Sequence, residues 1–298
     1  MSAVHLMHKR RNALLAGLMG LMAQWSGAAW ADHTHSRIPE GQKLAPWAVY
    51  YSDKAPLERF RAFNLLVLDS LYHPPLPPLA DAGKLLLGYI SLGEVEQHRD
   101  HYAAVKAEGI LMQENENWPG SFFVDVRDKR WTKRVVEELI PDILHAGFHG
   151  LFLDTLDNPG HLESSDPTKY AGMRDAAARM IHTIRLHYPH MPIMLNRAYD
   201  LLPLVGDAVD MALGESVRAD YNFQTKTYQM VEETDYVWQV NQLKSAAKQF
   251  PHLKLFTLDY WDPQDKAGIT RIYQQQRAQG FIPSVATVEL DRIIDEPR

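Results

Sequence analysis

The sequence predicts a single-domain α/β protein, a (β/α)8 TIM barrel, and three observations carry that prediction. From Trp47 onward, short apolar runs alternate with stretches of helical periodicity. The runs are continuous rather than alternating with polar residues, which is how parallel strands buried on both faces read. Eight such units in a chain of 298 residues suit one barrel of ordinary size. No glycine-rich nucleotide loop follows any run, so an open nucleotide-binding sheet gains no support.

The strands are expected in the following order. Residues 47–51 are first. Residues 65–68 are second, ending at Asp69, and 85–90 third, running into Glu94. Residues 122–126 are fourth and include Asp125. Residues 150–153 are fifth and end at Asp154, while 193–195 are sixth and end at Asn196. Residues 211–213 are seventh, ending at Gly214-Glu215, and 255–258 eighth, ending at Asp259-Tyr260. Helices are expected over 131–146, 170–188 and 268–279 from the spacing of their apolar residues. Pro141 should kink or split the first, and Gly280 should cap the last. The proline-rich stretch 73–79 reads as a rigid loop between strand and helix. Leu68-Asp69, Leu153-Asp154 and Leu258-Asp259 read as equivalent barrel positions.

The N-terminus has a different character. Lys9-Arg10-Arg11 precedes an apolar run, and Ala29-Trp30-Ala31 fits the small-x-small rule. Residues 1–31 therefore read as a secretory signal peptide cut near Ala31, implying a secreted or periplasmic protein with no membrane anchor after cleavage. Residues 32–46 read as a polar, mobile leader and 47–298 as the catalytic barrel. There are no cysteines, which excludes disulfides, zinc ribbons and a cysteine nucleophile. The formal net charge is -6. Without a basic patch beyond residue 11, this argues against nucleic acid and for cationic partners.

Active sites of such barrels lie at the carboxyl ends of the strands. Those ends are acidic here: Asp69, Glu94, Asp125, Asp154, Asp157, Glu215 and Asp259, with Tyr51, Tyr89, Asn196 and Tyr260 among them. Any one such aspartate is ordinarily a helix cap. Seven at one end of a barrel repel one another, and function is a common reason to tolerate that. Aromatic faces stack on sugar rings and carboxylates bond hydroxyls or transfer protons. Glycoside hydrolysis needs two carboxyl groups, about 5–5.5 Å apart for retention or about 6.5–9.5 Å for inversion. A divalent cation is a competing reason for carboxylates. The histidines at 98/101 and 182/187/190 lack a zinc pattern, so neither a metal nor another cofactor is expected.

Gly88-Tyr-Ile-Ser-Leu-Gly-Glu94, Phe122-Phe-Val-Asp-Val-Arg-Asp128 and Gly147-Phe-His-Gly-Leu-Phe-Leu-Asp-Thr-Leu-Asp157 resemble motifs of glycoside hydrolase family 114. Asn196-Arg197 and Gly214-Glu215-Ser216 resemble its later strand ends, the closing stretch 282–287 also resembles the family, and the likeness runs from about Trp47 to Asp291. His149 departs from the family pattern, which usually has aspartate there. The resemblance implies a (β/α)8 barrel and endo-hydrolysis of α-1,4-linked galactosamine or N-acetylgalactosamine polysaccharide, an exopolysaccharide or biofilm matrix. It also implies retention, with Asp154 as nucleophile and Glu215 as general acid/base. Asp69, Tyr89, Glu94, Asp125, Asp157, Asn196, Asp259 and Tyr260 are then expected to bind substrate. The partner is a cationic, partly de-N-acetylated polymer, with exopolysaccharide machinery as a further candidate. Two alternatives remain open at this stage: a non-catalytic polysaccharide-binding barrel, and a metal-dependent hydrolase or deacetylase of the same glycan.

Overall fold

The computed structural model describes residues 36–297. The signal-peptide reading of 1–31 and the first residues of the leader lie outside them. Eight parallel strands form a nearly closed barrel: β1 (Trp47–Tyr50), β2 (Leu65–Leu68), β3 (Leu85–Ser91), β7 (Gly150–Asp154), β8 (Ile193–Asn196), β9 (Met211–Glu215), β12 (Lys254–Tyr260) and β13 (Ile282–Ala286). At the seam, the Trp47 indole donates to the Ile282 carbonyl at 3.0 Å. Two smaller sheets leave the barrel. One contains β4 (Glu94–Glu96), β5 (Leu111–Glu114) and β6 (Ser121–Val124), and the other is the hairpin of β10 (Ala219–Asn222) and β11 (Thr227–Met230).

This corrects the strand count. Residues 122–126 do not supply the fourth barrel strand, because β6 pairs antiparallel with β4 and β5. The eighth barrel strand is instead β13, whose register against β12 runs from Phe256↔Ile282 to Tyr260↔Ala286. Asp154 and Glu215 thus close the fourth and sixth barrel strands, still two strands apart.

The period of two along each strand sorts its side chains between two cores. Trp47, Val49, Leu65, Val67, Leu85, Leu87, Phe152, Met194, Met211, Leu213, Phe256 and Leu258 fill the barrel interior. Their strand neighbours Ala48, Tyr50, Leu66, Leu68, Leu151, Leu153, Ile193, Leu195 and Ala212 face the surrounding helices. Continuing the same alternation turns Asp154, Asn196 and Glu215 inward at the mouth. Tyr260 lies in the interior cluster with Leu258, so Asp259 between them faces outward. Asp259 is therefore not equivalent to Asp154, contrary to the recurrence read from sequence.

The helices over Met173–His187 and Lys266–Ala278 match expectation, and Gly280 takes the left-handed conformation after the second (φ 87°). The stretch before Pro141 is resolved into a helix over Lys129–Arg134, a π turn over Val135–Leu139 and a helix over Ile140–Ala146. Proline has no N–H to donate and crowds the preceding turn, so the widened turn relieves both effects. The proline-rich stretch is not wholly a loop. Leu76–Asp81 is helical, since prolines are tolerated in a first turn whose N–H groups lack helical partners. Residues 36–46 are docked rather than a free leader. The Arg37 amide donates to buried Asp210 at 2.8 Å, while Ile38 and Leu44 pack on the interior cluster. No helix of the described residues is long and apolar enough to cross a membrane.

Candidate active site

Four strand ends meet at the mouth. Asn196 Nδ2 donates to Asp154 Oδ1 at 2.8 Å and to Glu215 Oε2 at 2.6 Å. One amide nitrogen thus spaces the two carboxylates, and their bonded oxygens can be no farther apart than the two bonds laid end to end. Tyr260 donates to the other Glu215 oxygen, Oε1, at 2.5 Å. These four residues are the last of β7, β8, β9 and β12, so all stand at the carboxyl end of the barrel.

The backbone is strained immediately beyond them. Thr155, Arg197, Ala198 and Ser216 have φ of 64°, 50°, 43° and 52°. Left-handed backbone is costly for non-glycine residues, above all for β-branched threonine, and persists only when neighbours over-determine it. Thr155 Oγ1 meets that condition: it donates to the Asp154 carbonyl, accepts from the Gly93 amide and lies 3.0 Å from Ser91 Oγ. Gly93 packs against the Thr155 carbonyl so closely that a Cβ there would clash, so only glycine fits.

Burial and the neighbouring Glu215 charge raise Asp154 to about 7. Hydrogen bonds from Asn196 and the Thr155 amide oppose the rise without cancelling it. Tyr260 rises well above the usual phenol range because it is buried beside Glu215. It remains a hydrogen-bond donor at physiological pH.

Four other expected binding residues have their hydrogen-bonding capacity engaged by the protein. Glu94 is buried and accepts from Asn115 at 2.8 Å and from Ser121 and Asn158 at 2.5 Å each. Asp259 accepts from the amides of Arg218 and Ala219 and from Gln276 Nε2, anchoring the turn after Glu215. Burial lifts Asp259 to about 6. Asp125 follows β6, not a barrel strand, and forms a two-point pair with Arg127. Asp69 accepts from the Leu71 and Tyr72 amides and pairs with Arg99 at 2.8 Å. Desolvation opposes Arg99 and these amides, yet together they hold Asp69 below the ordinary carboxylate range.

Asp157 and Tyr89 stay near the pair. Asp157 forms an ion pair with Arg197 at 3.3 Å, and its charge adds to the rise of Asp154. Tyr89 lies edge-on to Tyr51, with ring centroids 5.0 Å apart. The Arg99 guanidinium sits 5.5 Å from the Tyr89 ring centroid. Tyr51, Tyr89, Asp69 and Arg99 wall a cleft of about 500 Å³, with Asp53, Lys54 and His98 on its outer side. The sequence reading assigned no role to Arg99 or Arg197. Their partners Asp69 and Asp157 are distant in sequence. His149 lies at the start of β7, where its Nδ1 accepts from the Leu86 amide, remote from the pair. No group of three or more His, Asp or Glu among the described residues is arranged to hold a metal ion.

A family model described as glycoside-hydrolase family GH114 matches residues 22–297. The chain belongs to that family. It is a glycoside hydrolase, and the motif resemblance is confirmed across nearly its whole length. The fold is similar to that of the glycoside hydrolase domain of PelA from Pseudomonas aeruginosa. That match has a TM-score of 0.73 and 23% identity, covering 85% of this chain and 98% of that one. Ega3 from Aspergillus fumigatus, solved in complex with galactosamine, is similar at a TM-score of 0.62 and 15% identity, covering 92% of this chain and all of the other. An uncharacterised protein of Deinococcus radiodurans is 27% identical over 252 residues, which is 78% of this chain and 75% of that one.

Proposed function

We propose that this glycoside hydrolase is an exported, endo-acting enzyme that cleaves α-1,4-linked galactosamine or N-acetylgalactosamine polysaccharide with retention, using Asp154 and Glu215. The observation that carries the reading is the Asn196 amide bonded to both carboxylates. It keeps their bonded oxygens no farther apart than two hydrogen bonds, which supports the close carboxyl spacing of a retaining pair, about 5–5.5 Å, over the about 6.5–9.5 Å of an inverting pair. Substrate class follows from likeness: Ega3 was solved with galactosamine, and PelA is named as a glycoside hydrolase. A polymer bearing free amines also suits the acidic chain.

In this mechanism Asp154 attacks the anomeric carbon while Glu215 protonates the departing oxygen. Water then releases the sugar, with Glu215 taking its proton. Attack requires ionised Asp154, whereas burial and Glu215 favour its protonated form. An ammonium group on the bound sugar would reverse that preference, because a nearby positive charge stabilises a carboxylate. The raised Asp154 also favours a second reading in which the roles are exchanged. Slowing the second step with a fluorinated substrate and mapping the labelled peptide separates the two. Label on Asp154 supports the first assignment, and label on Glu215 supports the exchange.

The substrate is tested by reducing-end release from α-1,4-galactosamine polymers of graded acetylation. Internal cleavage should yield mixed oligosaccharides from the first minutes. Only monosaccharide release, or no release from any of the polymers, contradicts the proposal.

A further inference from the structure

We propose that Trp118 and Phe223 form an aromatic platform that binds sugar rings of the polymer away from the bond being cleaved. The inference rests on the reading of the chain as a polysaccharide hydrolase. Trp118 lies in the turn between β5 and β6, within the excursion that follows β3, and Phe223 lies at the tip of the β10–β11 hairpin that follows β9. In the barrel order, β7 and β8 stand between β3 and β9, and they carry Asp154 and Asn196. The two excursions nevertheless touch: the Trp118 and Phe223 rings meet edge to face with centroids 5.2 Å apart.

Both rings stay about half exposed despite that contact, at 52% and 56%. Large apolar groups held together in water on a folded surface mark binding sites more often than chance. The rings are also continuous with the mouth. Phe223 packs edge-on against Tyr221 at 5.2 Å, and Tyr221 against Tyr228 at 5.1 Å. Tyr221 and Tyr228 in turn pack on the interior cluster that includes Tyr89 and Tyr260, the residues beside the candidate carboxylates.

The platform is preorganised. Asn115 and Ser121 bracket the Trp118 turn, and both donate to buried Glu94, which also holds Asn158 beside the Asp154 loop. At the hairpin tip, Asn222 Oδ1 accepts from the amides of Gln224 and Thr225. A ring fixed before binding loses little freedom when a sugar stacks on it. This account gives Glu94 a positioning role, through the turn, in place of the substrate contact expected from sequence. The faces of pyranose rings, which present C–H groups, match such a surface, and a polymer reaches it while a short fragment bound at the carboxylates does not.

The test uses Trp118→Ala, Phe223→Ala and Trp118→Phe in the exported-length chain. Two readouts are compared: kcat/KM on long polymer relative to the shortest oligosaccharide cleaved, and retardation in gels containing the polymer. The ratio should fall about tenfold in each alanine variant and recover in Trp118→Phe, and retardation should weaken in parallel. Equal loss on both substrates, or an unchanged ratio with unchanged retardation, overturns the platform. If the unaltered protein cleaves neither substrate, the hydrolase reading for this glycan fails, and the gel alone decides the platform: retardation lost in the alanine variants supports it, and retardation absent or unchanged overturns it.

Discussion

Tyr260, the last residue of β12, donates its hydroxyl to Glu215 Oε1 on the neighbouring strand at 2.5 Å. With Asn196 on Oε2, this leaves Glu215 held at both oxygens. Tyr260→Phe keeps the packing and removes one donor. A hydrogen bond to a charged group contributes about 1.5–3 kcal/mol, so kcat should fall roughly 10–100-fold. KM should move little. Steady-state kinetics across pH check this, and an unchanged kcat would contradict the positioning role.

Asn196→Asp tests the bridge between the carboxylates. The change replaces a donor to two acidic groups with a third acid. Like charges at such separations disfavour ionisation, so the apparent pKa values of the site should rise and activity near neutral pH should fall at least 100-fold. Asn196→Ala should also lose activity, with a smaller upward shift, because it removes the donor that lowers Asp154 without adding a third acid. A pH–rate profile unchanged in Asn196→Asp would show that the bridge does not set the pair's protonation.

Asp154 gives a pH-dependent stability whose sign follows from its raised value of about 7. An unfolded aspartate titrates near 3.9. Between about 4 and 7 the folded chain therefore binds more protons at this site than the unfolded chain, and its contribution to stability falls as pH rises. Asp259 acts in the same direction up to about 6. Asp154→Asn removes the first contribution and should raise Tm at pH 8 by several degrees relative to wild type. The gain should be smaller at pH 4.5. Each 1 kcal/mol corresponds to about 2–4 °C in a chain of this size. Scanning calorimetry at the two pH values reads the difference, and a larger gain at pH 4.5 would contradict it.

Glu94→Ala removes an acceptor shared by three buried or half-buried donors. Each donor left unpaired costs about 1–3 kcal/mol, so urea denaturation should show a clear loss of stability. Proteolysis should then cut first near the turn over residues 115–121. A fully stable variant resistant to cleavage there would contradict the anchoring role.

The barrel was legible in the sequence because parallel strands buried on both faces leave continuous apolar runs such as Leu65–Leu68 and Met211–Leu213. Residues 122–126 gave the same pattern from a small antiparallel sheet, since local composition carries no record of the partner strand. β13 does not read as a strand in the sequence because Pro283 and Ser284 interrupt its apolar character. Within the site, Asp154, Asn196, Glu215 and Tyr260 could be found as strand-end residues on inward parity. Asp259 misled because it stands one residue out of phase, and a period of two turns that residue to the opposite face. The capture of Asp69 by Arg99 and of Glu94 by Asn158 was hidden for another reason. These pairs are 30 and 64 residues apart in sequence, and only folding brings them together.

The central claim is that Asp154 and Glu215 carry out glycosidic cleavage. It is tested most directly by reducing-end release from an α-1,4-galactosamine polymer by the wild type, Asp154→Asn and Glu215→Gln, each with and without a metal chelator. Circular dichroism of each protein confirms folding. The account predicts chelator-resistant release by the wild type and loss of at least 100-fold in both folded variants. Release that survives either substitution, or that disappears with chelator, would contradict it.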